Sequence, residues 1–550
     1  MSDKSKRQFK VLGSQLEGFE TYSISTVDKK SAADFLISVF SYRIITDQYK
    51  LASRHQNEED SKESRIANAI SDLPSNAIIS NMVIKDDEKM SNALENAIAF
   101  IVSYNPSVFT PIFPDSTLGL NKLSEATQKK AVLNAASLLL RDRIDYRISA
   151  SNIDLVFSEL IEFLDSFSSD FYEIDPQSEI SNFMVDILSP KPGDIVYCPT
   201  AGSGLQLGHI AKKIIDASTI NDTTTHYTAK SQSSGAYRIA VLRLLILGVK
   251  TRSFHQSHWS HNTQFTHGKN RDAPNIITAC AFFAADNKFH TALGATDEFQ
   301  SFDRRAPLKL SSQLALTSHV AESLDKTRGR AAVLVSSMFL STISMNRNFM
   351  LSLSDASGDA ATRRRLIEEN LIEALIMLPS KIEKNVSTPG ILILNTAKND
   401  DSILFVDCSA DYITGNQKNT LREDLAAQTL DMLADRKSLS DACKLVPFSE
   451  IRDNDFNLSI RLYLKPTEED DDIDHLDVEW EYNALIRQAA NTNSLGMEWD
   501  YPTLIIEAAD NEQLELEREY EALFYKAAEA RRQVAICQDE VEFTKMYAIF

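Results

Sequence analysis

The chain has 550 residues, 43% of them hydrophobic and 25% charged, which is the composition of a soluble globular protein with room for about three domains. A formal net charge of −21 argues against a protein that alone grips a long stretch of duplex, because that grip needs a basic excess. No apolar stretch approaches the roughly 18 residues of a spanning helix, the polar start MSDKSKRQFK does not read as a signal peptide, and five scattered cysteines (198, 280, 408, 443, 537) form neither a disulfide framework nor a CxxC-type zinc site, so a reduced, cytoplasmic protein is expected.

Residues 1–165 read as a helical N-terminal domain. In SAADFLISVFSYRIITDQYKLASR the apolar residues Phe35, Leu36, Val39, Phe40 and Ile44 recur at helical spacing. SNALENAIAFIVSY, QKKAVLNAASLLLRD and NIDLVFSELIEFL repeat the pattern, while NEEDSKESR reads as a solvated loop or helix edge. From residue 166 to 465 short β-rich runs alternate with helices, which predicts an α/β domain with a parallel or mixed sheet. Strands are expected at Ile195–Tyr197, Asn275–Thr278, Ala331–Val335, Ala374–Met377, Gly390–Leu394 and Ile403–Val406, with helices at 206–216, 234–247 and 360–372. Residues 466–550 begin with the acidic linker EEDDD and continue as a long helical pattern striped by Leu516, Tyr520, Leu523, Phe524, Ala527 and Val534. That helix either folds back on its own domain or is held out for a partner.

The stretch DIVYCPTAGSGLQLGHI has the form strand, tight glycine turn, helix, by which an open α/β sheet brings its backbone close to a small ligand. A lone Gly-x-Gly is weak evidence, and a tight connection that binds nothing would look the same. Among other features, RRR at 363–365 could touch phosphate, but reads better as the opening of a helix with a solvated basic face offset by Glu368 and Glu369. His255, His258, His261 and His267 crowd beside Trp259, yet their spacing matches no established metal site and a polar loop is expected. Cys198 and Cys280 have no evident histidine to activate them and read as small buried hydrophobes rather than nucleophiles.

Consecutive pieces from about residue 30 to 465 together resemble the methylation (M) subunit of type I restriction-modification systems, an N6-adenine DNA methyltransferase family. They are AADFLISVFSYRIITDQYK, SNFMVDILSPKPGDIVYCPTAGSG, AYRIAVLRLLILGVK, RGRAAVLVSSMFL, RRRLIEENLIEALIMLPS, STPGILILN and NDFNLSI. The resemblance implies a class I S-adenosylmethionine (SAM) methyltransferase-like, Rossmann-like sheet, with SAM as cofactor and DNA adenine as substrate. It also implies a specificity subunit or a catalytic M subunit as partner, met through the C-terminal helices. By the same resemblance the cofactor positions are Cys198, Ala201, Gly202, Ser203, Gly204, Ser231 and His258; Cys198 stands where the family has aspartate, Ser231 where it has an acid for the ribose, and His258 near its third aspartate. The family's Asn/Asp-Pro-Pro-Phe/Tyr motif falls on Cys280, Ala281, Phe282 and Phe283. Adenine's amine is a poor nucleophile, and the motif's oxygen and a backbone carbonyl accept its two hydrogens as the methyl transfers, while the aromatic stacks on the flipped base. A thiol is a weak acceptor. Four changed positions predict a pseudoenzyme that acts as a structural or DNA-engaging part of a complex. An active divergent methyltransferase and a pure interaction protein regulating a catalytic paralogue stay open as alternatives.

Overall fold

In this computed structural model the described residues are 26–54, 87–114, 153–165, 175–217, 224–249, 254–257, 273–281, 312–336, 357–379, 382, 389–410, 412–413, 420–422, 424–437, 442–454 and 456–464. The α-helices of six residues or more are α1 (Thr26–Arg54), α2 (Asp87–Tyr104), α3 (Ile153–Asp165), α4 (Ser178–Leu188), α5 (Leu205–Ala217), α6 (Ser234–Ile246), α7 (Ser312–Ser323), α8 (Ser357–Glu368), α9 (Leu425–Asp435) and α10 (Phe448–Asp453). The strands are β1 (Ile195–Cys198), β2 (His226–Ser231), β3 (Phe254–Gln256), β4 (Ile276–Cys280), β5 (Arg330–Ser336), β6 (Ile372–Met377), β7 (Pro389–Asn395), β8 (Ser402–Asp407), β9 (Tyr412–Ile413), β10 (Thr420–Leu421) and β11 (Cys443–Pro447).

Nine strands form one sheet in the order β11-β8-β6-β7-β5-β4-β1-β2-β3. β1, β2, β3, β4 and β5 pair in parallel, whereas β7 runs antiparallel to both β5 and β6, and β11 antiparallel to β8. The chain therefore winds outward in one direction from β1 and in the other from β4. This reversal is where open α/β sheets place ligands, at the carboxyl ends of the strands. It is an open, Rossmann-like α/β sheet, the fold class that the sequence leads one to expect.

Alternation along each strand sends successive side chains to opposite faces. Val196, Cys198, Ile276, Cys280, Leu334 and Ile391 enter a core shared with α4, α5, α6 and the N-terminal helices. Tyr197, Ile277, Ala279, Val333 and Leu392 meet α7 and α8 on the other face. The apolar stripe Phe35, Leu36, Val39, Phe40 and Ile44 of α1 is fully buried in the first of these cores. α6 is buried at almost every position because the sheet covers one side and α1 packs on the other, which is why its sequence is apolar apart from Ser234 and the two buried arginines Arg238 and Arg243.

Some element ends differ from the sequence expectations. The helix expected over 360–372 ends at Glu368. Asn370 adopts a left-handed conformation (φ 57°), and Leu371 N donates to Leu366 O at 3.0 Å. That bond is a Schellman closure, which stops the helix and frees residue 372 to open β6. Asn275 precedes β4 instead of opening it: its side chain donates to Asp194 Oδ1 and accepts from Ile195 N, both at 2.6 Å. The arginine triplet lies in the second half of α8, and its face is not solvated throughout. Arg363 is 1% exposed, Arg364 pairs with Glu368, and Arg365 pairs with Glu322 and Glu369. The expected helices QKKAVLNAASLLLRD and 510–545 lie outside the described residues, as does NEEDSKESR. Among the described residues no helix is long and apolar enough to cross a membrane.

Candidate functional site

The glycine turn joins the carboxyl end of β1 to α5. Gly202 and Gly204 have φ of 51° and 80°, a region an L side chain enters only at a cost. A Cβ on Gly204 would also lie 3.0 Å from Ala240 Cα, so this glycine is what lets α6 approach the turn. Gly204 N donates to Ala201 O at 2.7 Å, and Ala201 N donates to Lys230 O at 2.9 Å, which ties the turn to β2.

The register fixes what stands beside the turn. β1 pairs Cys198 with Ala229 of β2 and Tyr197 with Ile277 of β4. Continued past Cys198, it sets Thr200 level with Ser231 on one side and with Cys280 on the other. Two hydrogen bonds close this row: Cys280 N donates to Thr200 Oγ1 at 2.9 Å, and Ser231 Oγ donates to Gly202 O at 3.1 Å. The expected residues Cys198, Ala201, Gly202, Ser203, Gly204, Ser231, Cys280 and Ala281 thus do converge on the switch point. All of them are buried. His258, Phe282 and Phe283 lie outside the described residues, as do His261 and His267, while His255 is exposed on β3.

Cys198 is fully buried, with its thiol 3.9 Å from Gln206 Oε1. Burial, reinforced by the negative charge of Asp175, pushes that thiol far above its ordinary range, so it is a neutral thiol and no nucleophile. Behind it Tyr197 Oη meets His319 Nε2 at 2.9 Å, and burial beside Lys230 pushes His319 down to about 3, so its ring is neutral.

Three residues central to this geometry are missing from the sequence expectations: Thr200, Asp175 and Arg243. Asp175 Oδ2 accepts from Ser203 N at 3.2 Å and from Ser203 Oγ. Burial raises the Asp175 carboxyl, against the pull of Arg243 and these donors. Arg243 is 1% exposed; its Nη2 donates to Ser203 Oγ at 3.2 Å and its Nη1 to Asp154 Oδ1 at 2.9 Å. Asp154 also accepts from Lys212 Nζ and from His209 Nε2 at 3.2 Å, while His209 Nδ1 lies 2.9 Å from Ser181 Oγ. A carboxylate only accepts, so His209 carries its proton on Nε2 and takes the Ser181 hydroxyl on Nδ1. Burial works to raise Asp154, but the His209 hydrogen bond and the Arg243 and Lys212 charges outweigh it and hold the carboxyl far below its usual range.

The polar chemistry therefore lies underneath the turn. Among the described residues, the ends of β1, β2 and β4 present Cys198, Thr200, Ser231 and Cys280, which are thiols and hydroxyls with no acid or amide. Such a row can donate or weakly accept single hydrogen bonds, but carries no charge to set against a cation.

A family model for N-6 DNA methylase matches residues 170–472. The chain is 38% identical over 131 residues to the Type I restriction enzyme MjaVIII methylase subunit of Methanocaldococcus jannaschii, a match spanning 22% of this chain and 22% of that protein. It is 36% identical over 119 residues to the MjaVII methylase subunit of the same organism, spanning 20% and 21%. The matched stretches thus span about a fifth of these relatives' length. Among solved structures, the type I restriction-modification methyltransferase subunit from Streptococcus thermophilus superposes with a TM-score of 0.59 at 17% identity, over 84% of this chain and all of that one. A chain from a structural study of complex assembly and conformational transition of the type I restriction-modification system does so at 0.53 and 13%, over 96% and 99%. At these identities the superpositions speak for the fold.

Proposed function

The chain belongs to the N-6 DNA methylase family, and from that premise we propose that it is an M-subunit homologue whose adenine-methylating centre is empty. On this reading it serves as a structural or DNA-engaging component of a restriction-modification or defence complex. Its N-terminal residues (1–165) brace the methyltransferase-like domain (166–465), and its C-terminal segment (466–550), read as helical from the sequence, meets a specificity-like subunit or a catalytic M subunit. DNA is held through that complex, which suits a chain with a net charge of −21.

The observation that carries the reading is the row Thr200–Ser231–Cys280 at the switch point. Methyl transfer to adenine needs two acceptors aimed at the amine, where positive charge builds. Ala281 offers a backbone carbonyl as one of them, but Cys280 offers a buried thiol, a weak acceptor, as the other. Loss of one preorganised group costs about 10²–10³ in rate. For SAM, a cation at its sulfonium, the described residues do not fit. Cys198 and Ser231 bring no charge, the Ser231 hydroxyl is spent on Gly202 O, and Asp175 is spent on the turn's own donors.

The test is a calorimetric SAM titration of the wild-type chain beside the triple reversion Cys280→Asn, Ala281→Pro, Phe282→Pro, with methyl transfer to adenine-containing DNA measured on both. The expected outcome is no binding heat and no transfer for the wild type. Tight SAM binding with turnover by the wild-type chain would instead mark an active, divergent methyltransferase.

A further inference from the structure

The amides at the start of α5 are where an open α/β sheet offers backbone donors and the positive end of a helix dipole to an anion. Here those donors already have a carboxylate. Asp175 accepts from Ser203 N at 3.2 Å and from Ser203 Oγ. Arg243 completes the cradle from below, with Nη2 on Ser203 Oγ at 3.2 Å and its charge felt at Asp175. The acid is not a loose side chain that happens to reach the turn. It stands three residues ahead of α4, whose Ile180, Phe183, Met184, Ile187 and Leu188 are buried in the core that α5 also enters. α4 and α5 pack directly, so the separation between Asp175 and the turn is set by the core.

We propose that Asp175 is a built-in occupant of this cradle: the chain's own carboxylate takes the donors that a ligand's carboxylate, such as the amino-acid end of SAM, would need. The contact is autoinhibitory in form, because a ligand must first unseat residues 175–177. It deepens the proposed function and rests on it, since it explains at the level of single atoms why the turn is closed. It also accounts for the Cys198 thiol, which is pushed up in part by the Asp175 charge beside it.

The probe is free acetate, which carries the deleted group and nothing else. Asp175→Ala should lower the thermal midpoint by about 3 °C, since buried donors lose their acceptor. About 100 mM acetate should recover half or more of that loss in the variant, relative to an equal concentration of chloride, and leave the wild type unmoved. A variant as stable as wild type, or an acetate response equal in both proteins, overturns the proposal. Asp175→Asn keeps an acceptor oxygen and guards against a variant that does not fold. With it, hydrogen exchange in the peptide covering residues 199–207 should quicken about tenfold, and unchanged exchange overturns the proposal equally. Neither readout involves methyl transfer. A failed acetate or exchange result removes the plug alone, and detected methylation removes the proposed function alone.

Discussion

The underside of the glycine turn and the strand ends beside it share α5 and β1, yet they are built from opposite chemistry. Below the turn, Arg243, Asp154, His209, Lys212, Ser203 and Asp175 form a dense charged network reaching from α3 through α5 to α6. A second buried arginine of α6, Arg238, ties in the N-terminal region: Nε donates to Ile112 O at 2.8 Å and Nη1 to Asp34 O of α1 at 3.1 Å. Burial pulls its pKa down, opposed by Asp34, to about 10. At the strand ends the corresponding places hold Cys198, Ser231 and Cys280. The two regions answer to different demands. Removing one partner from a buried charge network costs the fold about 3–5 kcal/mol. An acid aimed at a ligand contributes to binding and little to folding, so a chain can lack it and keep its architecture.

The comparison breaks if the network proves dispensable. Arg243→Met should destabilise by about 3–5 kcal/mol in urea unfolding, because Asp154, Asp175 and Ser203 are left without their central cation. A loss under about 1 kcal/mol would mean the network is decoration. The pH profile sharpens the same point. The folded-state pKa of Asp154 lies below its unfolded value, so between the two the unfolded chain binds more protons and stability rises with pH. Its contribution should be complete above about pH 5 and fade as pH falls through about 4 and below. Asp154→Asn should flatten that acid limb in urea midpoints taken from pH 3 to 7. Asp175 is raised in the fold and carries the opposite sign, so its protonation as pH falls opposes the Asp154 trend. The smallest effect belongs to the strand ends: Cys198→Ala should change stability by about 1 kcal/mol or less, read by the same unfolding curves.

Most of the sheet was legible because β1 and β4 to β8 are short apolar runs between turn residues, and their ends fall within two residues of the expected ones. β2, β3 and β11 were not among the expected strands; β2 and β3 mix polar and charged residues into short runs, and β11 (Cys443–Pro447) is a five-residue edge strand that contains a lysine and ends in proline. The end of α8 was missed because the residue that stops it, Asn370, is an ordinary helix-surface residue in sequence until its backbone turns left-handed. In the site, the glycine turn and the row Cys198, Ser231, Cys280 could be read from motif order. Asp175 and Arg243 could not: they meet Ser203 across 28 and 40 residues, and no local spacing records a contact between segments brought together by a core.

On the proposed function the methyltransferase scaffold persists while methyl transfer does not. The most direct measurement is a methyl-transfer assay on adenine-containing DNA, run with saturating SAM and the purified full-length chain, beside Cys280→Ala. Neither protein should yield N6-methyladenine. Methylation by the wild-type chain that disappears in Cys280→Ala would contradict the proposed function.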